Sequence, residues 1–260
     1  MSGVRIISLY SGSTGNSFLI TSPVGTLLID AGKNAKQLCA ALASVGVSPD
    51  EIGAILVTHE HNDHISALPV FLKKHPVPVH IPYGCAYKLL CESAVAPHLC
   101  MHPPIHTEEI CGMQVTSFPT PHDSRASVGY RIEIPSEGKT LRIGYATDIG
   151  YVTREIEEGL TGCDAVILES NHDREMLAYG PYPYQLKQRI ASRRGHLSNP
   201  ESALFAAHLC ATGTRSLMLA HLSAENNTPE IAYDECFGAI ADTGVHICVA
   251  DPYQATELTI

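Results

Sequence analysis

Residues 59–64, with the sequence HEHNDH, place three imidazoles and a carboxylate close together in the chain. Imidazole nitrogens and carboxylate oxygens are the side-chain atoms that bind divalent transition-metal ions. Clustered imidazoles repel one another once they are protonated, and they gain most from coordination when they are neutral. The segment therefore predicts a metal site, and metal ions there would activate a water molecule for hydrolysis.

The elements on either side indicate how this segment is positioned. The apolar run AILVT at 54–58 leads directly into it, and the apolar run ISALPVFLKK at 65–74 follows it. Short, wholly apolar runs that end in polar residues are typical of buried strands. We therefore expect a buried strand to deliver the metal-binding loop, and the run AVILE at 165–169 to end in polar residues in the same way.

The remaining elements predict a layered α/β protein. Strands are predicted at 4–9, 17–21, 26–30, 115–118, 128–134, 141–146, 216–222 and 246–250. Helices are predicted at 34–45 and 153–159 and after the starts Asn199-Pro200-Glu201 and Thr228-Pro229-Glu230. This order favours two packed sheets with helices outside. No linker or repeat interrupts the pattern, so we expect residues 1–260 to form a single domain.

Composition narrows the class of protein. The chain has 45% hydrophobic and 17% charged residues, which is ordinary for a globular protein. No stretch approaches the roughly 20 apolar residues that span a bilayer, and no signal peptide is recognisable, so we expect a cytoplasmic protein without a membrane partner. The nine cysteines include no CxxC pair, which predicts reduced thiols.

Charge argues against an extended nucleic-acid-binding face, because the formal net charge is -10. Lys187, Arg189, Arg193 and Arg194 are the best candidates for a local basic patch, although a run of this kind is more often a solvated helix face. The tyrosine-rich segment at 178–186 can stack on bases, or it can form a half-buried proline-rich loop.

The motifs of this chain resemble those of the metallo-β-lactamase superfamily. HxHxDH follows a strand there in the same way, and Asp30, His122, Asp148 and His221 stand where that superfamily carries its other motif residues. The resemblance covers nearly the whole chain. It implies a four-layer αββα sandwich of two mostly antiparallel sheets flanked by helices. It also implies seven metal ligands: His59, His61, Asp63, His64, His122, Asp148 and His221.

The same resemblance divides these ligands between two divalent ions. His59, His61 and His122 would hold one ion, and Asp63, His64 and His221 the other. Asp148 would touch both, and the Asp30 carboxylate would support the metal loop without binding a metal. Zinc and manganese suit such a site, and so do iron, nickel and cobalt.

Further motifs look like the YycJ/WalJ branch of the superfamily, whose members are described as exonucleases. They are GSTGNS at 12–17, THEHNDH at 58–64, ESNHD at 169–173, GHLSN at 195–199 and LAHLSAENN at 219–227. The resemblance favours hydrolysis of a phosphodiester by a hydroxide that bridges the metals. The substrate would be a nucleic acid or a small phosphodiester.

Two catalytic candidates follow, Asp63 and His196. His196 stands beside a helix start, where free backbone N–H groups favour a phosphate oxygen, so it can protonate a leaving alkoxide or bind phosphate. It can equally pack under a loop and donate to a backbone carbonyl. Candidates for substrate binding are Asn16, His172, Ser198 and Asn226. Each of these also has a structural interpretation, such as a turn, a cap or a hydrogen-bonded support.

Other functions stay open at this level. The same metals can hydrolyse a small ester, thioester, lactone or cyclic phosphodiester, which suits an acidic protein. A narrow, closed pocket would favour such substrates, and an open, basic groove would favour a polymer. A non-catalytic metal-binding protein is a third alternative.

The histidines outside these motifs have no strong functional interpretation. His98, His102 and His106 are spaced as on one helix face, but Pro97, Pro103 and Pro104 prevent a regular helix. We expect a surface loop near the active-site cleft.

Overall fold

Two seven-stranded sheets pack face to face in a computed structural model that describes residues 3–136 and 138–260. In spatial order, the strands of the first sheet are β14 (Thr256–Leu258), β1 (Arg5–Tyr10), β2 (Ser17–Ser22), β3 (Gly25–Ile29), β4 (Ala54–Leu56), β5 (Val79–Pro82) and β6 (Leu99–His102). Those of the second sheet are β13 (His246–Val249), β12 (Ser216–Ala220), β11 (Ala165–Glu169), β10 (Lys139–Ala146), β9 (Val128–Ser136), β8 (Met113–Pro119) and β7 (His106–Ile110).

Each sheet has an antiparallel half and a parallel half. In the first sheet, β14 to β3 pair antiparallel and β3 to β6 pair parallel. In the second, β7 to β10 pair antiparallel and β10 to β13 pair parallel. Each sheet therefore has three antiparallel and three parallel strand pairs, whereas we expected mostly antiparallel sheets. The parallel pairs arise because long crossover connections return the chain to the same end of the sheet.

Helices cover the outer face of both sheets. They are α1 (Ala35–Ser44), α2 (Asn62–Ile65), α3 (Leu68–Phe71), α4 (Tyr83–Ala86), α5 (Arg154–Leu160), α6 (Arg174–Tyr179), α7 (Tyr184–Ile190), α8 (Asn199–Ala211) and α9 (Pro229–Ile240). Short 3-10 helices occupy Pro49–Glu51, Ala96–His98 and Ala241–Thr243. The predicted four-layer αββα arrangement is confirmed. Across the described ranges, every helix is too short or too polar to cross a bilayer.

The core lies in three layers, because side chains on a strand alternate between its two faces. In β1, Ile6 packs between the sheets and Ile7 packs beneath the helices on the outer face. In β11, Ile167 lies between the sheets, and Val166 and Leu168 face the helices. Strands buried on both faces need apolar residues at every position, which explains the runs AILVT and AVILE.

The segment that carries His98, His102 and His106 is not the surface loop that we expected. Leu99–His102 forms β6 and His106–Ile110 forms β7. Pro97 lies in the short 3-10 helix Ala96–His98, and Pro103 and Pro104 follow the end of the edge strand β6, where a missing N–H is tolerated. His102 and His106 therefore lie at the adjoining edges of the two sheets.

Candidate metal centre

Strands from both sheets end at the predicted metal site. Asp30 follows β3, residues 59–64 follow β4 closely, Asp148 lies just beyond β10 and His221 follows β12. Asp30, Asp148 and His221 each have a φ of 59°, in the left-handed region that residues other than glycine rarely adopt. Such backbone strain costs about 1–3 kcal/mol per residue and clusters at functional sites. The turns at these strand ends bring their side chains together.

The predicted ligands of the first metal lie close together. One nitrogen from each of His59, His61 and His122 lies within 4.8 Å of the other two. His61 Nδ1 is 3.3 Å from His122 Nε2. Two ligand atoms of a tetrahedral zinc ion lie about 3.4 Å apart when each bond is about 2.0–2.1 Å long. These histidines are therefore spaced as ligands of one ion.

The predicted ligands of the second metal form an adjacent set. His64 Nε2 lies 3.3 Å from Asp63 Oδ2, and His221 Nε2 lies 3.8 Å from the same oxygen. Asp148 stands between the two sets, with Oδ2 3.4 Å from His64 Nε2 and Oδ1 3.6 Å from His122 Nε2. Its Oδ1 is also 3.7 Å from His221 Nε2, so the Asp148 carboxylate lies within reach of both sets and could contact both ions.

Unpaired atoms test whether this cluster suits metal ions. Within the described part of the chain, His59 Nε2, His221 Nε2 and Asp148 Oδ2 are buried without a hydrogen-bond partner. Leaving a polar atom in that state costs about 1–3 kcal/mol. Coordination of a cation would compensate for this cost at all three atoms, so the donor set fits divalent metals.

Hydrogen bonds at the opposite ring nitrogen orient three of these histidines. In each case Nδ1–H donates to an oxygen, which leaves the Nε2 lone pair for a metal. The bonds run from His64 to Asp30 Oδ2 at 2.7 Å, from His221 to Glu169 Oε1 at 2.9 Å and from His122 to the Gly195 carbonyl at 3.2 Å.

Asp30 lies beneath the metal loop and is wholly buried. Its carboxylate also accepts hydrogen bonds from the Thr58 backbone N–H and hydroxyl, both at 2.8 Å. Asn16 is buried beside the same loop, with Nδ2 3.2 Å from His64 Nε2 and 3.4 Å from Asp63 Oδ2. Asn16 thus contacts two candidate metal ligands, and its role in substrate binding stays a prediction.

Gly32 allows the supporting loop to approach the metal loop closely. A Cβ atom at this position would overlap the carbonyl oxygen of Asp63. The neighbouring Ala31 N–H donates to the His64 carbonyl at 2.7 Å, and the Asn16 N–H donates to the Asp63 carbonyl at 2.8 Å. These backbone bonds fix the loop that carries Asp63 and His64.

Glu169 belongs to the centre although we assigned it no role from the sequence. It is fully buried at the end of β11, and Oε1 accepts from His196 Nδ1 at 2.8 Å as well as from His221. Its Oε2 accepts from the backbone N–H groups of Ile149 and Leu197 at 2.7 and 3.1 Å. Its position as the polar residue that ends a buried strand was the sequence feature that could have indicated this role.

Asp123 is a second residue that we did not single out. Its Oδ1 lies 3.2 Å from His122 Nε2 and 3.8 Å from His61 Nε2. The Arg189 guanidinium, a hydrogen-bond donor to Asp123, lowers the pKa of this carboxyl although burial acts in the opposite direction. Its position directly after His122 in the sequence was the feature that could have indicated its place at the site.

The electrostatics of the centre favour bound cations. Burial raises the pKa of Glu169, but the charge and hydrogen bonds of His196 and His221 outweigh burial and lower it to about 2. Burial lowers the pKa of His221, but the neighbouring carboxylates of Asp148, Asp63 and Glu169 outweigh burial and raise it to about 10. Ionised carboxylates therefore surround the histidines and attract positive charge.

A cavity of 210 Å³ opens over the metal ligands. Tyr182 and Arg189, which belong to the segment around α7, line it together with His196. A second cavity, of 570 Å³, adjoins it and also includes His196 in its wall. Lys187 and Arg193 line this second cavity, and the Arg193 guanidinium lies 4.0 Å from the centre of the Tyr151 ring.

The basic patch thus divides into two pairs. Lys187 and Arg193 face the second cavity. Arg189 lines the cavity over the metal ligands, and Arg194 donates hydrogen bonds to the carbonyls of His122 and Ser124 at 3.1 and 3.2 Å. The patch is therefore more than a solvated helix face, because it borders both cavities.

The other substrate-binding candidates occupy different places. His172 and Ser198 are buried in the wall of the second cavity, and Arg174 Nε lies 3.3 Å from the Ser198 hydroxyl. Asn226 is wholly buried, and its Nδ2 donates to the Ser223 hydroxyl at 3.3 Å. The backbone carbonyl oxygen of Asn226 accepts a hydrogen bond from the Asp173 backbone N–H. The structure thus places His172 and Ser198 in a cavity wall and Asn226 beneath the surface, and their role in substrate binding stays a prediction.

Comparisons with known proteins extend these observations. Residues 26–222 match the model of the β-lactamase superfamily domain. Exodeoxyribonuclease YycJ from Bacillus anthracis is 33% identical over 232 residues, which cover 88% of this chain and 86% of that protein. Exodeoxyribonuclease WalJ from Streptococcus pneumoniae serotype 2 is 33% identical over 270 aligned residues, which cover 99% of this chain and 98% of that protein.

Among solved structures, the metallo-β-lactamase fold protein YhfI from Bacillus subtilis superposes with a TM-score of 0.73. The match covers 98% of this chain and 99% of that chain at 16% sequence identity. At this level of identity the match concerns the fold alone.

Proposed function

Because the chain belongs to the β-lactamase superfamily, within the family of the exodeoxyribonucleases YycJ and WalJ, we propose that it is a metal-dependent phosphodiesterase that shortens DNA from an end. One observation carries the proposal. Two sets of three ligands share Asp148 and lie beside His196, whose Nδ1 is held by Glu169. That combination would provide two metal sites and a proton donor within one cavity.

We also propose which metal ions the protein uses and where it acts. Two divalent ions, with zinc or manganese favoured, would activate a water molecule and neutralise charge on the phosphoryl oxygens. The seven ligands would be those predicted from the sequence. The single domain of residues 1–260 would act in the cytoplasm.

His196 would donate a proton to the leaving oxygen. Its Nδ1 is occupied by Glu169, so Nε2 is the nitrogen that can serve the substrate. The imidazole is partly exposed at the junction of the two cavities. A phosphodiester bound over the metals therefore lies within reach of an oriented proton donor.

Asp63 would contribute as a metal ligand and as an acceptor for the attacking water. Burial raises its pKa, but the nearby imidazoles of His64 and His221 outweigh burial and keep the pKa below its usual range. The carboxylate is thus ionised at neutral pH, and it lines the cavity over the metals.

The second cavity supports a polymeric substrate. Lys187 and Arg193 supply positive charge for phosphates beyond the scissile bond, and the exposed Tyr184 supplies a ring on which a base can stack. The formal net charge of -10 would otherwise repel DNA. Lys187 and Arg193 therefore place positive charge beside the second cavity, where the DNA strand would pass.

The test compares end-labelled single- and double-stranded DNA with bis-p-nitrophenyl phosphate as substrates of the metal-loaded protein. We expect progressive shortening of DNA. His196→Ala should keep its metal and lose about 100- to 10,000-fold in rate, the usual contribution of a general acid. Asp63→Ala should lose metal and activity together. His208→Ala, a surface histidine of α8, serves as the matched control.

Two results would count against the proposal. Cleavage of the small diester with intact DNA would support the small-molecule alternative. A fully metal-loaded protein that cleaves neither substrate would support the non-catalytic alternative.

A further inference from the structure

A second group of potential metal ligands lies at the edge where the two sheets meet. His80 belongs to β5, His102 ends β6 and Glu108 lies in β7. The strands β6 and β7 are the last strands of their sheets, and only residues 103–105 connect them. The group therefore joins two layers that backbone hydrogen bonds do not join at this edge.

The ligand atoms of this group are close together. His80 Nδ1 lies 3.0 Å from His102 Nε2. Both nitrogens lie 3.5 Å from the same oxygen, Glu108 Oε2. The ring centres of His80 and His102 are 5.1 Å apart and their planes are nearly parallel, at 5°. Three atoms from three strands thus form a compact triangle.

The 3.0 Å side between the two histidines suits either a hydrogen bond or coordination, whereas the two sides to Glu108 are longer. Hydrogen bonds from nitrogen to oxygen usually measure about 2.7–3.2 Å, so the two 3.5 Å separations are too long for good ones. Ligand atoms around a tetrahedral zinc ion lie about 3.4 Å apart. A single ion above the triangle would therefore reach all three atoms at ordinary bond lengths.

The surroundings keep these ligands available. His80 is buried, and apolar residues such as Leu56 and Val115 wall the 20 Å³ cavity beside it. His106 Nε2 lies 3.4 Å from the same oxygen, Glu108 Oε2, so a third imidazole borders the triangle.

We propose that His80, His102 and Glu108 bind a further divalent ion of the zinc type, which ties the edges of the two sheets together. Two imidazoles and one carboxylate select a transition-metal ion over calcium or magnesium, which prefer oxygen ligands alone. Water completes the coordination on the exposed side of Glu108. The site is separate from the catalytic proposal, because it shares no ligand with the centre around Asp148.

The experiment counts zinc by mass spectrometry after saturation and removal of unbound metal. His102→Ala and Glu108→Gln should each bind one equivalent less than the unchanged protein. His98→Ala, from the same segment but outside the triangle, should bind as much as the unchanged protein. DNA cleavage by all three variants should be unchanged, which separates this site from the proposed catalytic one.

Equal zinc content in the unchanged protein and in a folded Glu108→Gln variant would overturn the proposal. Glu108 is half exposed, so this substitution leaves the core intact even if His102→Ala does not fold. As a second measurement, Co²⁺ absorption in an Asp63→Ala, His61→Ala background should report this site with the catalytic ligands weakened. Loss of the signal on adding Glu108→Gln is expected, and its persistence would also overturn the proposal.

Discussion

At the candidate metal centre, Glu169 supports two histidines although its own side chain does not line the cavity. One of its oxygens orients both a candidate metal ligand, His221, and the candidate proton donor, His196. The other oxygen is fixed by two backbone N–H groups, so the carboxylate itself cannot rotate freely. A residue that acts through its neighbours in this way should affect metal affinity and turnover together.

We therefore predict that Glu169→Gln lowers metal affinity by about 10- to 100-fold, the usual effect of removing a carboxylate that supports a ligating histidine. The amide can accept only at one position, and it lacks the charge that favours the oriented imidazoles. Competition with a chromogenic chelator measures the affinity. Glu157→Gln, a carboxylate near the surface histidine His208, is the matched control. Unchanged affinity in Glu169→Gln would assign Glu169 a purely structural role.

At the scale of elements, α7 and the loop that follows it form the wall between the metal ligands and the second cavity. The helix is seven residues long, and Arg189 and Arg194 attach this segment to the site through Asp123 and the His122 carbonyl. Lys187 and Arg193 are left to face the second cavity. Position on this segment therefore decides which cations contact the candidate centre and which face the second cavity.

This division predicts that Arg193→Ala weakens DNA binding by about tenfold and reduces the dependence of log affinity on log salt by about one. Hydrolysis of bis-p-nitrophenyl phosphate should change little, because that substrate does not reach the second cavity. Filter binding over a range of salt concentrations provides the measurement. Lys74→Ala, an exposed cation far from α7 in sequence, controls for net charge. If both variants bind DNA equally, the second cavity does not carry the strand.

For the whole molecule, metal binding should be coupled to folding. The candidate ligands come from loops after strands of both sheets, so the complete set exists only in the folded state. The unpaired buried atoms and the three left-handed residues are costs that the metals would offset. Ions that bind only the folded state stabilise it by mass action.

We expect chelation to lower the melting temperature by about 5–10 °C for each site that was filled at about 100 times its Kd, which corresponds to about 2.7 kcal/mol. Differential scanning calorimetry of metal-free and reloaded protein measures the change. Asp63→Ala should show a smaller difference between the two forms. Identical melting temperatures with and without metal in the unchanged protein would contradict the coupling.

Sequence alone was sufficient for features that depend on neighbours in the chain. The HEHNDH segment contains four candidate ligands in six residues, and the apolar run before it identifies the strand that delivers them. Strand AVILE and the helix starts at Asn199 and Thr228 agree with β11, α8 and α9. Local spacing and local backbone preferences determine such features, so they can be read without coordinates.

Only the tertiary structure decided which distant residues meet. Glu169 contacts residues 27 and 52 positions further along the chain, and His80 reaches Glu108 from another sheet. Strand direction was also undetermined, because it depends on crossover connections, and this is why the expected antiparallel sheets proved evenly mixed. These contacts arise where strands of the two sheets come together in the folded chain, and no local pattern in a single sequence encodes that packing.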